Sequence, residues 1–431
     1  MSHFVKGLVE PIGIIGMGLS GTAALNLLKT LVPSKSVVTF DAKPGVAEWQ
    51  DLEKMLSENN LKTLIVSPGV PLSSPALVRA QNQGVKITSE LALAASCLTT
   101  EKVIAVTGAV GKSTTVSLLA QATQAFDLNS LAVGNIGKPL AEYVTEVIQG
   151  KRARASWLSL ELSSFQLENF ENLSADYSII TFFTSNHLER YQDLNEYYET
   201  KWSLLQKTKG FVFVNSESPD LFNFAKTKKS SRVIFCSSKD SNLKSLHLIN
   251  AQLLGSHNQQ NLALVASLSQ KMNWPVSCID SIKKFPGLKH RLENLGCLRG
   301  IRFVNDSKAT ALDSVISAVD SLTQEVSSPA SLYLMLGGKD KNLPWSFLSR
   351  LNQISNLKIY YFGEAASKAK IGTGIDGPIF TSLGLALDQV FLDLKAGDTL
   401  LLSPGGTSHD EFKNFEERGN FFRKKVFDQF S

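Results

Sequence analysis

Lys112 follows Gly108-Ala109-Val110-Gly111 and precedes Ser113-Thr114. An apolar, β-branched run, VIAVTG, feeds this turn, and a helix-forming stretch, VSLLAQATQ, leaves it. A strand, a glycine turn and a helix in that order aim successive backbone N–H groups at an anion. Gly108 and Gly111 would shape the cradle, Lys112 would reach phosphate oxygens, and Ser113 or Thr114 would hold Mg²⁺. The usual phosphate loop has a glycine five positions before Gly111; Val106 stands there, so this loop is two residues shorter. A second glycine turn, Gly16-x-Gly18-x-x-Gly21, follows the run PIGII, with Asp41 lying 25 positions after Gly16. That pattern cradles a pyrophosphate, which both a dinucleotide and a nucleotide-sugar possess. Gly18, Ser20 and Asp41, with Ser67 and Gly69 after the run LIV, are the candidate contacts.

Other chemistry-bearing residues stand at the ends of apolar runs. Glu161 closes WLSLE, where a buried carboxylate needs a partner or a metal, while an exposed one at a strand edge needs neither. His187 follows YSIITFFTSN. Lys201 lies at helical spacing in EYYETKWSLL; it is either a solvated lysine or a desolvated amine able to add CO₂ and become an anionic ligand. Asn305-Asp306-Ser307-Lys308-Ala309-Thr310 closes one run, Gly337-Gly338 with Lys339 and Lys341 another, and Ser403-Pro404-Gly405 a third. Asp306 suits ribose hydroxyls. The lysines and hydroxyls together make a cationic rim suited to a small dicarboxylate.

These residues need a scaffold that collects strand ends. Short β-branched runs alternate with helical patterns throughout, which predicts parallel sheets with crossover helices and ligands beyond the carboxyl ends of the strands. The 431 residues are enough for two or three domains, and 43% apolar with 19% charged residues describes an ordinary globular chain. A net charge of +5 without a basic block does not imply nucleic acid and is compatible with an anionic substrate. The four cysteines, scattered and without a CxxC, read as free thiols in a reducing compartment. No apolar run reaches the ~18 residues a membrane span needs. With no secretory pattern at the start, the expected location is cytoplasmic.

Taken in order, TGAVGKST, LELSSFQLE, HLERY, HNQQN, GLKHRLE, VNDSKAT, LGGKDK and SPGGTSHDEFKNFEERG resemble the Mur ligases over essentially the whole chain. The last five are most similar to the glutamate-adding members. The resemblance implies an α/β fold of three domains. They are a Rossmann-like N-terminal domain (1–98) for the UDP-sugar, a central P-loop ATPase with a mostly parallel sheet (99–287), and a Rossmann-like C-terminal domain (288–431). It implies an ATP-dependent amide-bond ligase of peptidoglycan precursor synthesis, monomeric, acting on UDP-N-acetylmuramoyl-L-alanine, D-glutamate and ATP with two Mg²⁺ ions. Lys112 would contact the ATP phosphates and Ser113 a metal. Glu161 would bind one Mg²⁺; His187 and carbamylated Lys201 would serve the other. Asn135 would touch the acceptor substrate. Asn258, Asn261, Arg291 and Asp306 would bind adenosine and phosphates. Lys308, Thr310, Lys341, Ser408 and Phe415 would place the glutamate. The chain departs from the family at Ala109-Val110 (commonly Thr-Asn), Asn186 (commonly Asp), Ala311 (often Asn) and His409 (often Leu). An oxidoreductase, a folate-type sister ligase and a non-catalytic ATP sensor are the rivals.

Overall fold

The computed structural model describes residues 3–184, 190–244, 253, 255–323, 326 and 329–431. Three sheets carry the chain. The first has strands β1 (Ile12–Ile15), β2 (Val37–Phe40), β3 (Thr63–Val66) and β4 (Lys86–Thr88), all parallel, in the order β2-β1-β3-β4. Every residue of β1 and β3 is buried, as expected for strands covered on both faces by crossover helices. The helix Leu19–Leu31 presents Ala23, Ala24, Leu27 and Leu28 to that core at three- and four-residue spacing.

The second sheet has six parallel strands: β5 (Lys102–Thr107), β6 (Leu131–Gly134), β7 (Trp157–Glu161), β8 (Tyr177–Ile180), β9 (Val212–Asn215) and β10 (Val233–Cys236). Their order is β10-β9-β8-β5-β7-β6. Its helices share a core with the first sheet's: Leu27 and Leu28 belong to one apolar cluster with Leu140, Tyr143 and Val144.

The third sheet holds β11 (Glu293–Leu298), β12 (Ile301–Asn305), β13 (Leu332–Gly337), β14 (Leu357–Phe362), β15 (Ile379–Phe380) and β16 (Thr399–Gly405), ordered β11-β12-β16-β13-β14-β15. The expectation of parallel pairing needs one correction here. β11 is antiparallel to β12. The reversal is made at Arg299-Gly300, both at positive φ, the backbone a tight hairpin requires.

By contacts the chain divides into two compact units, Met1–Leu248 with Gln260–Lys283, and Ile249–Gln259 with Lys284–Ser431. The first unit holds the first and second sheets, the second unit the third.

Candidate active site

In the first unit, β5 runs into the glycine turn, and the helix Lys112–Gln124 begins at once after it. Gly111 caps that helix at φ 88° with no side-chain hydrogen bond, at the end of a helix dipole that favours an anion. Gly108 has φ 148°, and a Cβ there would collide with Thr181 Oγ1 and Phe182 N. A Cβ at Gly111 would press on Asn261. Asn261, buried, accepts from Thr115 Oγ1 at 3.2 Å, so the structure brings this candidate against the loop. Asn258 is also buried and lies one turn earlier on the helix Ser256–Lys271.

Two lysines meet on one carbonyl. Lys112 Nζ donates to Gly108 O at 2.9 Å and Ala109 O at 3.0 Å, and Lys201 Nζ donates to Gly108 O at 2.9 Å. Lys201 is 1% exposed and lies 4.5 Å from the centroid of the Tyr197 ring. Burial first, and the Lys112 charge second, hold its ammonium well below the ordinary lysine range. This is the desolvated amine of the two alternatives, and the solvated lysine is excluded.

Glu161 ends β7 beside Val106 of β5 and Gly134 of β6. It is 1% exposed. Asn135 Nδ2 donates to its Oε1 at 2.9 Å, while its Oε2 is buried and has no hydrogen-bond partner among the described residues. An orphaned carboxylate oxygen next to a phosphate cradle fits a divalent cation. Asn135, expected to face substrate, is held to Glu161 through both its side chain and its backbone N–H. Ser113 is buried in the first turn of the helix and Thr114 is half-buried beside it. His187 and Asn186 lie outside the described residues. Among the described residues no three His, Cys, Asp or Glu gather as a metal cluster.

The first glycine turn is equally specific. A Cβ at Gly21 would strike Gly16 O, and Ser67 Oγ donates to that same carbonyl at 2.6 Å. Asp41 accepts from Lys43 N at 2.9 Å and Met17 N at 2.8 Å, which in that order hold its carboxyl below the usual range. Asp41 therefore fixes the turn as well as facing it. Gly18 and Gly69 are exposed and Ser20 is half-buried. Arg190 ties the β3 end to the second sheet: it donates to Pro68 O at 2.9 Å and Glu168 Oε2 at 2.6 Å, with Phe165 beneath its guanidinium.

In the second unit, Asp306 follows β12 and is buried; Leu292 N and Ser403 Oγ donate to it at 3.1 and 2.9 Å. Burial pushes its carboxyl up to about 7 against those two bonds and the Arg291 charge. Arg291 itself is exposed. Lys308 Nζ stands 4.5 Å from the Phe415 ring centroid. Thr310 follows Ala309, whose carbonyl accepts from Gly405 N at 2.9 Å. Lys339 and Thr407 exchange backbone hydrogen bonds, tying the exposed Lys341 loop to buried Ser408. Hydrogen bonds thus join the loops after β12, β13 and β16, which carry Lys308, Thr310, Lys341 and Ser408, with Phe415 alongside Lys308.

Sequence reasoning missed several residues that build these sites. Thr181 Oγ1 donates to Val110 O at 2.5 Å and braces the phosphate loop; a hydroxyl directly after an apolar strand was its one signal. Buried Asn305 donates to Glu293 and contacts His290, a network made by a non-local turn that spacing does not reveal.

The Mur ligase middle domain matches residues 106–269, from the end of β5 through the helix that carries Asn258 and Asn261. A UDP-N-acetylmuramoylalanine--D-glutamate ligase of Buchnera aphidicola subsp. Schizaphis graminum is 31% identical, covering 95% of this chain and 96% of its own. One of Prochlorococcus marinus is 30% identical, with 96% of each chain covered. Among solved structures, MurF ligase from Thermotoga maritima in complex with ADP superposes with a TM-score of 0.62 at 14% identity, over 91% of this chain and 95% of that one. UDP-N-acetylmuramate-alanine ligase MurC from the same organism gives 0.57 at 15%, over 97% and 99%. These two share the fold. With relatives alike from end to end, and the family's middle domain lying over the phosphate loop and Glu161, this chain belongs to the Mur ligase family.

Proposed function

We propose that this chain joins D-glutamate to UDP-N-acetylmuramoyl-L-alanine at the expense of ATP, through an acyl phosphate, in peptidoglycan precursor synthesis. The observation that carries the reading is the Gly108–Ser113 cradle with Lys112 and Lys201 on one carbonyl, in a chain whose relatives bear that activity's name. The acceptor's carboxylate oxygen attacks the γ-phosphorus of ATP, a new C–O–P linkage forms, and ADP leaves. The amine of glutamate then attacks the acyl carbon and phosphate departs with the oxygen. Such chemistry needs positioning and charge neutralisation more than covalent help.

The helix N-terminus and Lys112 supply fixed positive charge to the phosphates. Glu161 and Ser113 would hold one Mg²⁺, and His187 with Lys201 a second; bound magnesium neutralises charge on the phosphate oxygens. The neutral amine of Lys201 can add CO₂, forming an N–C bond and releasing a proton, and so become an anionic ligand. The glutamate ammonium needs a proton acceptor, a role open to His187 only if the metal does not fully engage it. Asn258, Asn261, Arg291 and Asp306 would bind adenosine and phosphates. Gly18, Ser20, Asp41, Ser67, Gly69 and Asn135 would hold the UDP-sugar. Lys308, Thr310, Lys341, Ser408 and Phe415 would place the glutamate. The proposed domains are 1–98, 99–287 and 288–431, in a cytoplasmic monomer. No helix among the described residues is long and apolar enough to cross a membrane.

The test is phosphate release from ATP with UDP-N-acetylmuramoyl-L-alanine, comparing D-glutamate with L-glutamate, D-aspartate and L-lysine. Release that depends on D-glutamate is expected. Equal rates with a neutral or basic amino acid would remove the glutamate assignment.

A further inference from the structure

Arg418 lies in the second turn of the C-terminal helix Phe415–Phe430 and is 0% exposed. A guanidinium is buried at high cost unless its donors are satisfied, and the usual partner is a carboxylate. Among the described residues all its hydrogen-bond partners are carbonyls and one hydroxyl. Nε donates to Ser307 Oγ at 3.1 Å, Nη2 to Ser307 O at 2.8 Å, and Nη1 to Gly406 O at 3.2 Å and Thr407 O at 3.0 Å. The charges of Asp410 and Glu411 act on it through space without a hydrogen bond.

The acceptors are not scattered. Ser307 follows β12 and is one residue before Lys308; Thr407 follows β16 and is one residue before Ser408. Thr407 in turn pairs with Lys339, two residues before Lys341, and Gly338 has φ 91° at a place where a Cβ would press on Thr407 O and Arg418 Nη1. Ser307 Oγ completes the arrangement by donating to Phe415 O at 2.8 Å. One planar fork therefore bonds two loops directly and reaches the third through the Thr407–Lys339 backbone pair, an arrangement that the single-point ammonium of lysine does not reproduce.

We propose that Arg418 is a positioning residue for the amino-acid carboxylates: it fixes the loops of Lys308, Lys341 and Ser408 in one register and leaves a positive charge beneath them with no carboxylate bonded to it. The inference rests on the glutamate-binding role proposed above for these loops. Arg418→Lys keeps the charge and loses the fork; Ser307→Ala removes the Nε acceptor together with the Ser307 Oγ bond to Phe415 O, and leaves the Nη1 and Nη2 bonds in place. In Arg418→Lys the KM for D-glutamate is expected to rise about tenfold or more, while KM for ATP and for the UDP-sugar stays within about twofold. Ser307→Ala moves the same constant by a smaller factor. Amide hydrogen exchange is expected to quicken in residues 306–310, 338–341 and 405–409 and not in the Gly108–Ser113 loop.

A folded Arg418→Lys protein with unchanged glutamate KM and unchanged exchange overturns the proposal. So does a parallel rise in all three KM values with a fall in kcat. If Arg418→Lys does not fold, Ser307→Ala decides by the same two readouts. If the wild-type protein shows no glutamate-dependent phosphate release, the ligase reading fails, and the exchange pattern alone decides whether Arg418 holds the three loops.

Discussion

Gly108 O accepts from both Lys112 and Lys201, so two amines share one oxygen of the glycine turn. Removing Lys112 takes away one of these two amines without opening the core. Lys112→Ala is expected to lower turnover by roughly 10²- to 10³-fold with an unchanged circular dichroism spectrum. Near-normal turnover by a folded variant would end the phosphate role. Lys201→Ala is expected to lose activity and regain part of it in acetate, which can fill the anionic position; no rescue by any short carboxylic acid would count against the carbamate. At this scale the sequence was legible where chemistry is local. The glycines, Lys112 and Ser113 stand in one turn, and their contacts follow from it. Asn261 against Gly111, Thr181 behind the loop and Arg418 beneath three loops are brought in by tertiary contact, and no spacing announces them.

Strands were read from their apolar runs, and those that escaped have none. β11 is ENLGCL, with polar residues and a glycine, and it is made by pairing across the Arg299-Gly300 hairpin. β15 is two residues long at the opposite edge. Edges need less burial than centres, so their sequences carry a weaker pattern. A junction between elements provides a pH test. Glu90, in the helix Glu90–Ala95, accepts from Ala141 N at 2.6 Å in the first turn of Leu140–Ile148. Burial pushes its carboxyl from 4.5 up to about 7. The native state keeps a proton that the unfolded chain releases above 4.5, so the stabilisation by neutral Glu90 is full below that value and is lost as pH rises through about 7. Glu90→Gln keeps the acceptor and cannot ionise. It is expected to melt near the wild type at pH ~5 and to be more stable by on the order of 1–3 kcal/mol at pH ~8. Equal melting temperatures across that range would show that Glu90 stays ionised.

At the scale of the whole molecule, the two glycine turns are expected to serve different ligands. The first, with Asp41 engaged by Met17 and Lys43, is expected to bind the UDP-sugar and not NAD. Titration calorimetry with each separates them, and tight NAD binding alone would reverse the reading. The third sheet's rim is expected to measure the distance between two carboxylates. D-glutamate should exceed D-aspartate by about tenfold to a hundredfold in kcat/KM, because the shorter acid leaves one buried donor unpaired.

Glu161 has one further consequence, for heat resistance. Its Oε2, without a partner among the described residues, is a burden that the folded protein carries and the unfolded chain does not, of roughly 1–3 kcal/mol. An ion that takes this oxygen binds only the native state, and mass action then turns occupancy into thermal stability. Magnesium without any nucleotide should therefore raise the melting temperature relative to EDTA, and Glu161→Gln should abolish the rise. On this view the cation supply of the cell would set how long the resting protein lasts.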